Sequence, residues 1–106
     1  IDGTVANRLT EQYNGYVKHT IKANTYDGQT EDIETLGVKM VLIASDKMSD
    51  DRVKSITKNI FDNSNKFGFA KDDTFDMNFA TENVTIPFHK GASEYYAENG
   101  VNVATK

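Results

Sequence analysis

The chain has 106 residues, 26% of them charged, and a formal net charge of −4, which leaves room for one small domain. Only two of its twelve basic residues are arginine (Arg8 and Arg52), and no basic patch carries interleaved aromatics, so nucleic acid is not an expected partner. Cysteine is absent, which excludes disulfides and Cys-ligated metal sites and suits an exported bacterial protein.

Residues 4–13 carry Val5, Leu9 and Tyr13 at i, i+4 and i+8, the spacing of one helical face, with Asp2 or Thr4 as the cap. Asn14 and Gly15 end that helix. Residues 16–24 then alternate Val17, His19 and Ile21 with Lys18, Thr20 and Lys22, which predicts a half-buried strand or an extended arm. Residues 26–29 (Tyr-Asp-Gly-Gln) are a turn, because Asp-Gly readily supplies a positive φ. Residues 30–34 form a polar, acidic lead-in to the longest apolar run of the chain, residues 36–45. Both faces of that run are apolar, so it predicts a buried central strand.

Ser49 followed by Asp50 and Asp51 marks a helix start. Val53, Ile56 and Ile60 form its stripe, with Phe61 alongside, and this face is expected to lie on the sheet of the central strand. The helix ends near residues 63–65. Residues 72–74 (Asp-Asp-Thr) are a candidate cap for a short helix holding Phe75 and Phe79. A loop at 81–83 precedes an extended segment, 84–86, that Pro87 keeps out of helix. Residues 91–99 predict a last helix with Gly100 just past its end, and residues 101–103 form an edge strand or a trailing end.

Chemistry is thin. Leu, Ile, Val and Phe together make 24 of the 106 residues, a small core that expects to bury itself against something else. His19 and His89 stand in no metal-ligand spacing and read as partly buried structural residues. The pairs Asp50-Asp51 and Asp72-Asp73 match no calcium loop and read as helix caps. No serine sits in a nucleophile elbow, and no glycine pattern cradles a phosphate. The sequence Asn83-Val84-Thr85 is a glycosylation sequon, a motif that recurs by chance. Tyr95 and Tyr96 are expected to place one ring in the core and one at the surface. No enzyme, cofactor or metal is expected from these residues.

Three stretches in fixed order carry a resemblance to a known family. Residues 21–29, IKANTYDGQ, resemble the "IPAGTYPGQ" segment of the TAXI family of TRAP-transporter solute receptors. Residues 32–38, the apolar run and the helix through residues 56–63 (ITKNIFDN) resemble its "DV-T-V…LLV…VY-ITKALFEN" region. Residues 86–96, IPFHKGASEYY, are similar to its "IPFHPGA-RYY" motif. Lys22, Asp27 and Lys90 stand where the family favours proline, Asn24 where it favours glycine, and Lys54 where it favours tyrosine.

The resemblance implies an α/β chain, α+β when taken alone, forming the C-terminal part of a type II periplasmic-binding-protein fold with a central strand and flanking helices. Residues 1–106 then form a single domain or a fragment, about the last third of a two-lobed receptor. They begin without methionine or a signal sequence, as expected of a processed or truncated piece. The implied ligand is a small carboxylate or amino acid, the implied partners are the TRAP permease subunits, and the implied place is extracytoplasmic. A piece of this kind is expected to expose apolar patches and to self-associate. Within it, Tyr26 is the candidate to stack on or hydrogen-bond to a solute and Gln29 to donate to a carboxylate. The alternative is that Tyr26 plugs the lobe core and Gln29 only shapes the turn. Arg8 can pair with a carboxylate by chemistry alone, or simply be solvated. A second functional class stays open: a small acidic exported interaction module without a small-molecule ligand.

Overall fold

The computed structural model describes residues 1–66 and 75–106, and it is α+β. The chain divides into two compact units, Ile1–Val41 and Leu42–Lys106.

The first unit sets helix α1, Gly3–Gln12, against a hairpin of β1, Tyr16–Ile21, and β2, Ile33–Val38. Asp2 caps α1, with Oδ1 accepting from the Thr4 amide at 2.7 Å. The buried line of the helix runs through Ala6, 4% exposed, and the half-buried Leu9 and Thr10. The Val5–Leu9–Tyr13 stripe is therefore rotated from its expected place, with Val5 47% and Tyr13 55% exposed. A two-stranded sheet covers only a narrow strip of helix, and the small Ala6 is the one fully buried residue of α1. The strands pair antiparallel from Tyr16↔Val38 to Ile21↔Ile33. Val17 and Ile21 are half-buried, but His19 is exposed rather than partly buried.

The central strand is shorter and earlier than expected. It spans Ile33–Val38, and residues 39–45 join no strand. Met40 is 91%, Leu42 72% and Ile43 74% exposed, so this run is not the buried strand that its composition predicted. The cause is the partner. Strand β1 begins at Tyr16, opposite Val38, because the Asn14-Gly15 turn and α1 come before it. Beyond Val38 the hairpin has no strand left to offer.

The second unit is built on two helices, α2 (Asp50–Asp62) and α4 (Lys90–Glu98), with a one-turn 3-10 segment, Ser64–Lys66, and the short helix α3 (Met77–Thr81). The stripe of α2 packs on α4 instead of on a sheet. Val53 is 5% exposed and Phe61 half-buried, whereas Ile56 points outward at 38%. Phe61 gathers the aromatic core: its ring lies 5.1 Å from Phe75, 5.6 Å from Tyr95 and 5.9 Å from Tyr96. Both tyrosines are buried, at 8% and 7% exposure, where one was expected at the surface. Burial raises both phenol pKa values above the ordinary 10.0.

Asp76 caps α3 by accepting from the Phe79 amide at 2.7 Å; the Asp72–Thr74 cap expected from sequence lies outside the described residues. Residues 84–86 form no strand. Helix α4 ends as its sequence predicts. Gly100 has φ +85°, its amide bonds the Ala97 carbonyl, and the Val101 amide reaches back to Tyr96, which completes a Schellman closure. The tail then makes a single bridge, with the Phe88 amide donating to the Ala104 carbonyl at 2.9 Å.

Candidate functional site

Two polar constellations stand out, one in each unit. The first is the hairpin loop, residues 22–32. Asn24 sits at φ +64° and Gly28 at φ +81°, the left-handed region where glycine costs least and asparagine is the next best tolerated. That explains the chemistry of position 24: asparagine there keeps the turn that glycine would make. The loop closes through the Asn24 amide on the Gln29 carbonyl (2.8 Å), the Gln29 amide on the Tyr26 carbonyl (3.1 Å) and the Thr25 hydroxyl on the Lys22 carbonyl (2.6 Å).

Asp32 locks the loop base. One carboxylate oxygen accepts from the Ala23 amide at 2.8 Å and the other from Lys22 Nζ at 3.0 Å. The backbone amide first, and then the ammonium, hold the Asp32 pKa below 3.8. Sequence reasoning gave Asp32 no role. It stands in an acidic stretch with Glu31 and Glu34, and nothing in the sequence singles it out from them.

Tyr26 and Gln29 share this loop but differ in what they offer. Gln29 Nε2 lies 3.2 Å from the Ile21 carbonyl, 3.0 Å from that of Lys22 and 3.0 Å from that of Glu31. Its two amide protons are thus engaged by three carbonyls, and its Oε1 accepts from the Tyr26 amide at 3.3 Å. Gln29 braces the loop here. Tyr26 is 65% exposed, so its ring fills no core within this unit and its face and hydroxyl meet solvent. Arg8 is exposed on α1 and makes no ion pair among the described residues.

The second constellation joins the starts of α2 and α4. His89 is the N-cap of α4. Its Nδ1 accepts from the Gly91 amide at 3.1 Å, so Nε2 carries the proton and donates to the Met48 carbonyl, also at 3.1 Å. Lys90 Nζ lies 3.3 Å from Asp50 Oδ2. Gly91 is pressed against the first turn of α2: a Cβ there would lie 2.8 Å from the Asp50 carbonyl carbon and closer still to its oxygen. The motif of residues 86–91 is therefore a helix-joining device. His89 reads as the sequence predicts, a largely covered structural histidine.

An open depression of about 590 Å3 lies beside this junction, lined by residues 84–88 and 102–104 with Thr81 and Glu82. It is mainly apolar, and Glu82 is the single charged residue of its lining. No group of three His, Asp or Glu side chains converges as a metal site among the described residues, and no helix among them is long and apolar enough to cross a membrane. Against known protein families, residues 1–100 match the model described as the NMT1-like family.

Proposed function

The chain belongs to the NMT1-like family, a periplasmic-binding-protein-like family with a solute-binding type of role, and on that premise we propose that it is part of an extracytoplasmic solute receptor of the TAXI kind. In this reading it binds a small carboxylate or an amino acid, does no chemistry on it, and passes it to a TRAP-type membrane permease. The family match over residues 1–100 carries the reading. The ordered motifs at residues 21–29, 32–63 and 86–96 support the narrower TAXI assignment.

Tyr26 is the group of this chain that we assign to the solute. Its exposed ring stands on a loop held by Asp32 and Gln29, so little ordering remains to be paid for on binding. Gln29 contributes by fixing that loop, and a carboxylate reaching Lys22 has to compete with Asp32.

The test is a thermal melt of the chain alone and with a panel of amino acids and dicarboxylates. A ligand at 100 times its Kd adds about 2.7 kcal/mol. For a domain of this size that is a rise of roughly 10–20 °C. Tyr26→Phe is expected to reduce the shift given by the solute that works. A cooperative melt that no compound moves counts against a solute site within this chain and favours a foldable piece that lacks its pocket; the second reading, an interaction module, is motivated by the exposed apolar side chains at residues 40–43.

A further inference from the structure

We propose that Asn14 is a self-modification site: the Asn14-Gly15 pair closes to a cyclic imide that water opens to aspartate or isoaspartate, while the fold holds the Asn99-Gly100 pair of the same chain unreactive. These are the two Asn-Gly pairs of the sequence. The chemistry needs the amide nitrogen after an asparagine to approach the side-chain Cγ, and glycine, without a Cβ, allows that approach. The two pairs share this composition and differ in their surroundings. Asn14 and Gly15 are both exposed and form the turn between α1 and β1. Amides flanking the pair are engaged: Tyr13 donates to the Leu9 carbonyl at 2.9 Å, and Tyr16 to the Tyr13 carbonyl at 3.1 Å. Between them, the Gly15 amide and the Asn14 carboxamide have no hydrogen-bond partner among the described residues. Nothing lies within 4 Å of where a Gly15 Cβ would stand, so the turn is open around the reacting nitrogen.

At Asn99 both reacting groups are tied. Its Nδ2 donates to the Tyr95 carbonyl at 2.9 Å, and the Gly100 amide donates to the Ala97 carbonyl at 3.0 Å in the closure of α4. Tyr95 is buried in the aromatic core, so the imide forms there only after the end of α4 opens. The step balances with water as its one co-reactant. A base removes the Gly15 amide proton, the nitrogen bonds to Asn14 Cγ, and the Cγ–Nδ2 bond breaks with Nδ2 leaving as ammonia. Water then cleaves one of the two nitrogen–carbonyl bonds of the imide. Cleavage at Cγ gives aspartate, and cleavage at the α-carbonyl carbon gives isoaspartate, with an extra methylene in the backbone. Either product adds one negative charge to the net −4. Isoaspartate also lengthens the turn that sets Tyr13 and Tyr16 edge to face, with ring centroids 6.1 Å apart. The proposal does not depend on whether the chain binds a solute.

The test is a time course of the 106-residue chain in mildly alkaline buffer, digested with trypsin and read by tandem mass spectrometry after chromatography that separates isoaspartate. The two pairs fall on different peptides, residues 9–18 and 91–106. Exchange of amide for carboxyl is expected to run at least about tenfold faster at Asn14 than at Asn99. In denaturing urea the two rates should come together, because only the fold distinguishes the pairs. Gly15→Ala finds open space and needs no positive φ, so the chain should accept it. Its methyl stands beside the attacking nitrogen and is expected to slow conversion of Asn14 at least about tenfold, leaving Asn99 as it was. Equal rates at the two sites of the native chain, or a faster Asn99, overturn the proposal. So do rates that stay apart in urea, or an Asn14 conversion indifferent to Gly15→Ala.

Discussion

Residues 36–45 and the α2–α4 pair are both apolar stretches, and they fare oppositely. The first is almost unbroken in its hydrophobicity, yet Met40 is 91% exposed. The second is interrupted by charge at Lys54, Lys58, Glu94 and Glu98, yet it holds Val53, Tyr95 and Tyr96 at 5–8% exposure. Apolar density is not what separates them. An amphipathic helix needs only one facing helix, and α4 meets α2 across Gly91 with no side chain in the way. A strand buried on both faces needs neighbours on its edges as well, and β1 runs out at Tyr16.

The sharpest way to break this comparison is Tyr96→Ala. The side chain is 7% exposed and touches the rings of Phe61, Phe88 and Tyr95, so the cost should be about 3–5 kcal/mol. Urea unfolding followed by circular dichroism reads it. An effect below about 1 kcal/mol would mean that the α2–α4 core is not what holds this unit together.

Gly91→Ala comes next. The added methyl must displace the backbone of Asp50, and the expected loss is about 2–3 kcal/mol although alanine favours helix. Stabilisation instead would show that the helix starts stand further apart than the His89 and Lys90 contacts imply.

The smallest effect belongs to the hairpin loop and appears on acidification. Asp2 and Asp32 have their pKa values lowered from 3.8, both mainly by backbone amides, from Thr4 and Ala23 respectively. The unfolded chain therefore binds protons first as pH falls. The stabilisation is complete above the unfolded value and disappears as pH drops through the lowered, folded ones. Both carboxylates are solvent-exposed, so the loss is slight and best read locally. The Ala23 amide signal in NMR should titrate with a midpoint below 3.8, and Asp32→Asn should abolish that titration. A midpoint at or above the ordinary value would mean that the loop lock is open in solution.

Much of this structure follows from local chemistry. The cap of α1 at Asp2, the positive φ of Gly28, the start of α2 after Ser49, whose side chain makes no capping hydrogen bond, and the Schellman end of α4 at Gly100 are all readable from neighbouring residues, because each is decided within a few positions of the chain. The candidate site was half legible. The turn that holds Tyr26 and Gln29 announced itself through Asp27 and Gly28, but Gln29 as a brace and Asp32 as a lock did not. Their partners are carbonyls, amides and an ammonium up to ten positions away, and no periodicity encodes those distances.

What the sequence determined by itself was therefore the class, α+β, the placement of most helices and turns, and the family resemblance carried by three ordered motifs. Only the tertiary structure decided which apolar faces are covered. It turned α1 onto Ala6, sent α2 to α4 instead of to a sheet, buried Tyr95 and Tyr96 together, and left residues 40–45 uncovered. The physical reason is that hydrophobicity states that a surface gains by leaving water, but not which surface will receive it. The receiving surface is set by where other elements begin and end, and here β1 begins only at Tyr16, opposite Val38, while Gly91 clears the way for a helix.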